Sequence, residues 1–355
     1  MKERIISGIK NFGISRWIIV AFLAVLFCLA PAAGTKVSTL FTNVANRFAW
    51  NAILVLSMVP MVHSGCGLNF GLPLGIEAGL LGVTLALELG FTGNTVFFAA
   101  ITIAIPIAIA FGLLYGFLLN KIKGGEMMIA TYVGFSAVSV MCIAWTMLPF
   151  KNPIIVWGYT GHGLRTMISI EQYFYEVLSG FLRFEIFGVT IPTGAILFFG
   201  LLAFGIWAFL HTKTGTAMTA VGSNPTFARA AGINVDKIRT LSVVLSTVLA
   251  AIGIINYEQG FGYVQLYTAP YSTAMPAVAA ILLGGASVNK ASISNVVIGT
   301  LLFQAITTTT PNIINSLINL DISDVIRIIV SNGVILFALT RKIEGPKKWK
   351  KCWVL

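Results

Sequence analysis

Asn94-Thr95-Val96-Phe97-Phe98-Ala99-Ala100-Ile101-Thr102-Ile103-Ala104-Ile105-Pro106, continued by Ile107-Ala108-Ile109-Ala110-Phe111-Gly112-Leu113-Leu114-Tyr115-Gly116-Phe117-Leu118-Leu119, carries no charge over residues 94–119. As a helix it rises about 39 Å, longer than the roughly 30 Å of a bilayer's hydrocarbon core. Backbone amides and carbonyls in hydrocarbon have no water to bond, so a segment of this kind must satisfy them internally, as a helix does. Working outward, further apolar windows suggest spans near 17–33, 48–64, 70–90, 129–149, 190–211, 240–257, 273–288, 292–310 and 324–340. The expected fold is an all-α membrane protein of about ten transmembrane helices, a single polytopic membrane domain over 1–355.

Composition agrees. Of 355 residues 57% are hydrophobic and 10% charged, against roughly 25% charged in a soluble domain. The net charge of +11 would suit nucleic acid, but its placement points elsewhere. With the N-terminus inside, Lys2, Lys10, Lys121, Lys123, Lys213, Arg229, Lys237, Arg239, Lys290, Arg341 and Lys347 fall on inner segments. Lys36, Arg47, Lys151, Arg165 and Arg183 fall in outer loops. That asymmetry is the positive-inside pattern. It predicts a multi-pass protein of the bacterial inner (cytoplasmic) membrane with both termini cytoplasmic, its basic groups facing the lipid bilayer and no nucleic acid. Lys347-Lys348-Trp349-Lys350-Lys351 reads as an interfacial anchor of the same kind. Lys2, Arg4, Lys10 and Arg16 before a short apolar run resemble a cleavable leader; the run is read instead as the first span. Cys28, Cys66, Cys142 and Cys352 form no disulfide framework, and His63, His162 and His211 show no metal-ligand spacing.

Three segments depart from plain spans. Gly67-Leu68-Asn69-Phe70-Gly71-Leu72-Pro73-Leu74-Gly75-Ile76-Glu77 places three glycines and a proline before an acid, which predicts a broken helix near 67–77. An outer loop covers 150–189, with Met167 to Leu182 expected as a short surface helix. An inner loop covers 212–240.

That inner loop contains Asn224-Pro225-Thr226-Phe227-Ala228-Arg229-Ala230-Ala231-Gly232. Asn224 suits an N-cap, Pro225 the first helical position, and Gly232 the left-handed residue that ends a helix. A two-turn helix is too short to stand alone, so it is either a stray interfacial turn or a piece that lies against a partner through Phe227, the alanines and Arg229.

The residues from Ala220-Val221-Gly222-Ser223-Asn224-Pro225 through Ala230-Ala231-Gly232-Ile233-Asn234-Val235 resemble the cytoplasmic signature of permeases of the ribose/xylose ABC importer type, relatives of the branched-chain amino acid permeases. A second similarity lies at Pro276-Ala277-Val278-Ala279-Ala280-Ile281-Leu282-Leu283-Gly284-Gly285-Ala286-Ser287, followed by Ile298-Gly299-Thr300-Leu301. Together they cover roughly residues 190–340. The chain departs from the pattern at Asn289-Lys290-Ala291-Ser292 and at Gly67 to Pro73, where many members read Gly-Ile-Asp-Leu-Ser-Val-Gly. The resemblance implies that Asn224, Pro225, Phe227, Arg229, Ala231 and Gly232 form a coupling helix docking on an ABC-type ATP-binding subunit. It also implies a second permease subunit, identical or paralogous, and an extracytoplasmic substrate-binding protein.

A phosphate-binding loop needs G-x-x-x-x-G-K-[ST], and the nearest candidate, Ser287-Val288-Asn289-Lys290-Ala291, lacks the flanking glycine and hydroxyl. The chain is therefore expected to be a non-catalytic subunit without a cofactor, ATP and Mg being bound by the partner. Polar groups at membrane depth are candidates for the substrate path: Asn69, Glu77, Asn256, Glu258 and Gln259. Each also has a structural reading: Glu77 as a brace for the freed amides of a broken helix, the other three at 256–259 as a solvated helix end. Arg327 pairs with Asp324 at i, i+3, Glu88 sits at the interface, and Trp145, Trp157 and Tyr159 suit an aromatic belt. Few charges on the spans favour a small neutral polar solute, a sugar or a nucleoside. The rival expectation is a secondary transporter or channel using Glu77 in a broken helix.

Overall fold

The computed structural model describes residues 14–122, 124–156, 163–288, 290–318 and positions 325, 328, 329, 332 and 333. Helices dominate: α1 Ile14–Leu29, α2 Val37–Leu56, α3 Met58–His63, α4 Leu72–Glu88, α5 Thr95–Lys121, α6 Glu126–Met147, α7 Thr193–Leu210, α8 Lys213–Ser223, α9 Pro225–Ala230, α10 Val235–Phe261, α11 Ala269–Leu283 and α12 Ile293–Ile318. Among the described residues six helical segments are long and apolar enough to cross a membrane, α2 and α3 counting together as one. The span expected near 324–340, the Asp324–Arg327 pair, Trp157, Tyr159 and both basic tails lie outside the described residues.

Four short strands lie at one end. β1 Met167–Ser169 pairs antiparallel with β4 Tyr263–Gln265, and β2 Arg183–Ile186 with β3 Val189–Pro192. The surface helix expected over Met167 to Leu182 is absent. β4 captures the backbone of its first residues, the Glu176 amide donates to Gln259 O at 2.9 Å, and Glu176 and Leu182 take left-handed φ of 52° and 53°, which no helix continues through. Trp145 is fully buried rather than interfacial. Its carbonyl accepts the Leu164 amide at 3.1 Å, so it packs beneath this loop.

The glycines and proline of 67–73 do not interrupt a helix within the bundle. The non-helical stretch is 64–71, a link joining α3 to α4, and Leu72 to Glu77 are helical. Gly65 and Gly67 take φ of +74° and +81° to leave α3, and Pro73 sits in the first turn of α4, where its missing amide donor costs nothing. Upstream, the bend at Ser57 lies where the Pro60 ring would clash with the carbonyl four residues before it.

Helix α10 holds the centre. Gly75 and Gly79 of α4 let it approach: a Cβ at Gly75 would lie 2.7 Å from Thr247 O, and one at Gly79 2.6 Å from Ala251 O. Gly112 and Gly116 of α5 do the same from another side, 2.8 Å from Val244 Cα and 3.1 Å from Thr240 Cα. Two G-x-x-x-G stripes thus grip one helix, the device that brings backbones together in lipid, where apolar burial gives helices no preference for each other. The small-residue run at 277–286 works likewise: a Cβ on Gly284 would meet Gly299 Cα at 3.0 Å.

The same helix binds the link through one face. Ser242 Oγ lies 2.6 Å from Ser64 Oγ, Ser246 Oγ accepts from Asn69 Nδ2 at 2.8 Å, and Arg239 Nε donates to Cys66 Sγ at 3.3 Å. Arg239 also donates to Glu126 Oε1 at 2.6 Å, an ion pair with side chains only 10% and 19% exposed.

Two outcomes follow for thermal unfolding of the detergent-solubilised chain. Gly79→Leu lowers stability by about 1–3 kcal/mol through overpacking, whereas Gly200→Ala, at a position with nothing within 4 Å, leaves the transition in place. Glu126→Gln strands the Arg239 charge and removes roughly 3 kcal/mol, and adding Arg239→Met restores most of it. An unchanged transition for Gly79→Leu, or a double variant no better than the single one, would contradict these contacts.

Candidate functional site

The end of the bundle that carries the link also carries α8 and α9. Asn224 Oδ1 accepts the Phe227 amide at 3.0 Å and Pro225 occupies the first turn. The helix closes on Gly232 at φ +82°, with the Gly232 amide on Arg229 O at 3.1 Å and the Ile233 amide on Ala228 O at 3.0 Å. That pair of bonds is a Schellman closure. Ala228 alone turns inward, onto Val221 and Val235. Pro225, Thr226, Phe227, Arg229, Ala230 and Ala231 are exposed, Phe227 to 67%, so nothing among the described residues covers the outer face.

This capped piece is fastened to the link. Thr212 caps α8 by accepting the Gly215 amide at 3.3 Å. At its far end a Cβ on Gly222 would lie 2.9 Å from Gly65 N, so the two backbones touch. His63 Nδ1 lies 3.3 Å from Thr219 Oγ1, and Nε2 donates to Ala291 O at 2.9 Å. A hollow of about 640 Å³ lies alongside, with His63, Thr219, Ser223, Lys290, Ser292 and Asn295 in its walls. α9 is thus joined through α8 to the 64–71 link, which Arg239, Ser242 and Ser246 bond to the central helix.

At the opposite end two cavities lie side by side, with Arg47 and Thr307 in the walls of both. The smaller, about 230 Å³, is framed by Asn43, Asn46 and Trp50 of α2 and Thr308, Pro311 and Asn312 of α12. The larger, about 650 Å³, is framed by Asn51, Tyr257, Phe261, Gln265, Tyr271 and Gln304 among others. No acidic side chain lines either among the described residues. Sequence reasoning missed these walls and put Arg47 in an outer loop. Asn43, Asn46, Arg47 and Asn51 depress the hydropathy of 37–51, so a window search starts the span too late. Their i, i+3, i+4 spacing was the available signal: one polar stripe on an otherwise apolar helix, facing a cavity instead of lipid. Gln304, Thr308 and Asn312 repeat it on α12.

Four of the five expected path residues make hydrogen bonds that tie elements together, although Asn256 Oδ1 and Glu258 Oε2 have no partner among the described residues. Asn69 is buried, donating to Ser246 and accepting from Tyr115 Oη at 3.2 Å. Asn256 Nδ2 donates to Ala49 O at 3.0 Å and Trp50 O at 3.2 Å, tying α10 to α2. Glu258 Oε1 accepts the Gln265 amide at 3.3 Å and Gln259 Oε1 the Leu178 amide at 3.1 Å, holding β4 and the outer loop. None of these four lines the two cavities. Glu77 differs. It is fully buried in the second turn of α4, and neither carboxylate oxygen has a hydrogen-bond partner among the described residues. It borders an apolar groove of about 530 Å³ between α4, α5 and α6, beside Leu74, Phe111, Tyr132 and Val133. Glu88 accepts the amides of Lys151 and Asn152, each at 3.0 Å, and so anchors the outer loop.

No group of three or more His, Cys, Asp or Glu among the described residues is arranged to hold a metal ion.

Comparison with known proteins places this architecture. The chain is 26% identical to the autoinducer 2 import system permease protein of Enterobacter sp. (strain 638), over 79% of its own length and 73% of that protein's. It is 25% identical to the ribose import permease protein of Escherichia coli (strain K12), over 90% of each, and 33% identical over 36% of its length to a nucleoside ABC transporter permease protein of Lactococcus lactis subsp. cremoris, covering 34% of that chain. The similarity read over 190–340 thus extends through the N-terminal half. The family described as branched-chain amino acid transport system / permease component matches residues 5–339, and the chain belongs to that family of permease components.

Proposed function

We propose that the chain is the membrane-spanning subunit of an ATP-driven importer, moving a small neutral polar solute, a sugar or a nucleoside, by alternating access. The observation that carries this reading is the capped helix from Asn224 to Gly232. Its outward face of Phe227 and Arg229 is covered by nothing among the described residues, while its inward side is fastened to the link and to α10.

In this reading the bundle has ten spans, lies in the inner membrane with both termini cytoplasmic, and pairs with a second permease subunit, identical or paralogous. The end with α9 faces the cytoplasm and an ATP-binding subunit. The end with the strands faces outward and receives a binding protein. ATP and Mg stay on the partner, and this subunit is not an enzyme. Closure of two ATP-binding subunits displaces the paired coupling helices, and the bundle changes state because the docked contact differs in strength between the two states. The residues that do this are Asn224 and Gly232 as end stops, Pro225 as the preset first turn, Phe227 and Arg229 as the contact, and Ala231 as the closing turn. Permeases for ribose, for autoinducer 2 and for nucleosides among the relatives support a sugar-type solute. The cavities carry amides, hydroxyls and aromatic rings, with Arg47 as their one charged side chain among the described residues, which supports a polar solute.

A secondary transporter or channel has one observation in its favour, the unpartnered carboxyl of Glu77. Under that reading Glu77→Gln abolishes transport; under ours it leaves ATP-driven uptake within a few-fold of the parent.

The test is the variant Phe227→Ala with Arg229→Glu. It is expected to lose co-purification of the ATP-binding subunit and to cut ATP-driven uptake at least about tenfold, the effect of roughly 1.4 kcal/mol of lost contact, while the permease still reaches the membrane. Unaltered recruitment and uptake would show that α9 is not the coupling element.

A further inference from the structure

We propose that the two outer cavities are a single two-part solute site that accepts a hydroxylated sugar joined to a planar heterocycle, a nucleoside, in preference to a free monosaccharide. The proposal rests on the importer reading above and specifies its substrate class.

The smaller cavity is suited to hydroxyl groups. Asn43 and Asn46, one turn apart on α2, face Thr307 and Thr308 of α12 across it. Each amide offers two donors and an acceptor, and each threonine a donor and an acceptor, so neighbouring hydroxyls of a sugar ring can be met from both sides. The wall holds unused hydrogen-bonding capacity. Thr308 is only 7% exposed and its Oγ1 has no partner among the described residues. The Asn43 and Asn46 side chains likewise make no hydrogen bond within the described residues, whereas Thr307 Oγ1 donates to Phe303 O at 2.9 Å. Buried polar groups left without partners are expensive, and a hydroxyl-bearing solute supplies what they lack. Trp50 closes the site in a set position: its Nε1 donates to Ser179 Oγ at 3.3 Å, and its ring packs against α10 where only Gly260 leaves room.

The larger cavity has a different wall. Tyr257 and Phe261, one turn apart on α10, are stacked at 5.7 Å between centroids and 15° between planes. In the same wall Tyr271 stacks on Phe135 at 5.4 Å and 23°, and Phe303 adds a further ring. Three amides, Asn51, Gln265 and Gln304, line the cavity with these rings. Gln304 is only 6% exposed, and its side chain has no hydrogen-bond partner among the described residues. A free pentose can meet an aromatic ring only through a C–H face and offers no planar edge to the amides. A nucleobase has a π-face, and its edge carries the donor and acceptor pattern that Asn and Gln read in pairs. Arg47 and Thr307, common to both walls, mark where the glycosidic bond of such a solute would lie.

The experiment uses the complete importer, co-expressed with its ATP-binding and binding-protein partners, and measures ATP-dependent uptake of tritiated uridine and tritiated ribose into cells. Saturable uridine uptake is expected, not displaced by excess ribose. Phe261→Leu is expected to lower it roughly tenfold or more, the usual effect of one lost base-stacking contact, while Phe261→Tyr keeps most of it. Asn46→Ala lowers it independently of the ring variants. Membrane abundance and co-purification of the ATP-binding subunit are followed for every variant, and Phe261→Tyr shows that the position tolerates change. Ribose uptake without uridine uptake overturns the proposal and leaves the importer reading standing, as does wild-type uridine uptake by Phe261→Leu. Failure of the parent chain to recruit an ATP-binding subunit overturns both.

Discussion

In hydrocarbon, apolar side chains gain nothing by leaving lipid for one another, so a helix is held in a bundle by close backbone contact and by polar bonds. Here both devices converge on α10. It runs between Gly75 and Gly79 on one side and Gly112 and Gly116 on another, and its own Gly253 would place a Cβ 3.0 Å from Leu54 N of α2. Its Arg239, Ser242 and Ser246 then bind the link at one end, and its Asn256, Glu258 and Gln259 bind α2, β4 and the outer loop at the other. The capped helix is linked to the cavity walls along this rod and also along α2 and α3, through the His63 contact with Thr219.

The polar residues of α10 are bonded at both of its ends. Arg239, Ser242 and Ser246 bond side chains of the link and of α6, and Asn256, Glu258 and Gln259 bond backbone groups of α2, β4 and the 150–189 loop. The solute-facing polarity moves instead to α2 and α12, whose amides and hydroxyls have capacity left over. A polar group in a membrane protein is therefore a site candidate when its hydrogen bonds are unfilled and it borders a cavity. Depth alone does not distinguish it from a brace.

Glu77 is the exception on the packed side of the bundle. It lies midway between Gly75 and Gly79, two residues from each, so it leaves the helix face that meets α10 and borders the groove between α4, α5 and α6. A charge there has no compensating bond among the described residues, which is why its removal to glutamine separates the two transport readings so sharply.

The amino-acid sequence by itself determined that the chain is a helical membrane bundle. Uncharged runs such as 94–119 leave the backbone no other way to bond, and the asymmetry of Lys and Arg predicts which end faces inward. It also determined the capped helix, because Asn224, Pro225 and Gly232 act within a few residues of one another and local chemistry decides them. Other features were decided only in three dimensions. The glycines of 67–77 read as a helix break, and folding divided them between a link, where Gly67 is left-handed, and a packing stripe that Gly75 shares with Gly79, since a neighbouring helix is needed to give that stripe a purpose. Met167 to Leu182 read as a helix, and a strand more than ninety residues later took its backbone. The polar stripe of α2 read as an outer loop because hydropathy sums a segment without asking what each face meets. Which face meets lipid, a partner or a cavity is a property of the assembled bundle, and there the solute site was made.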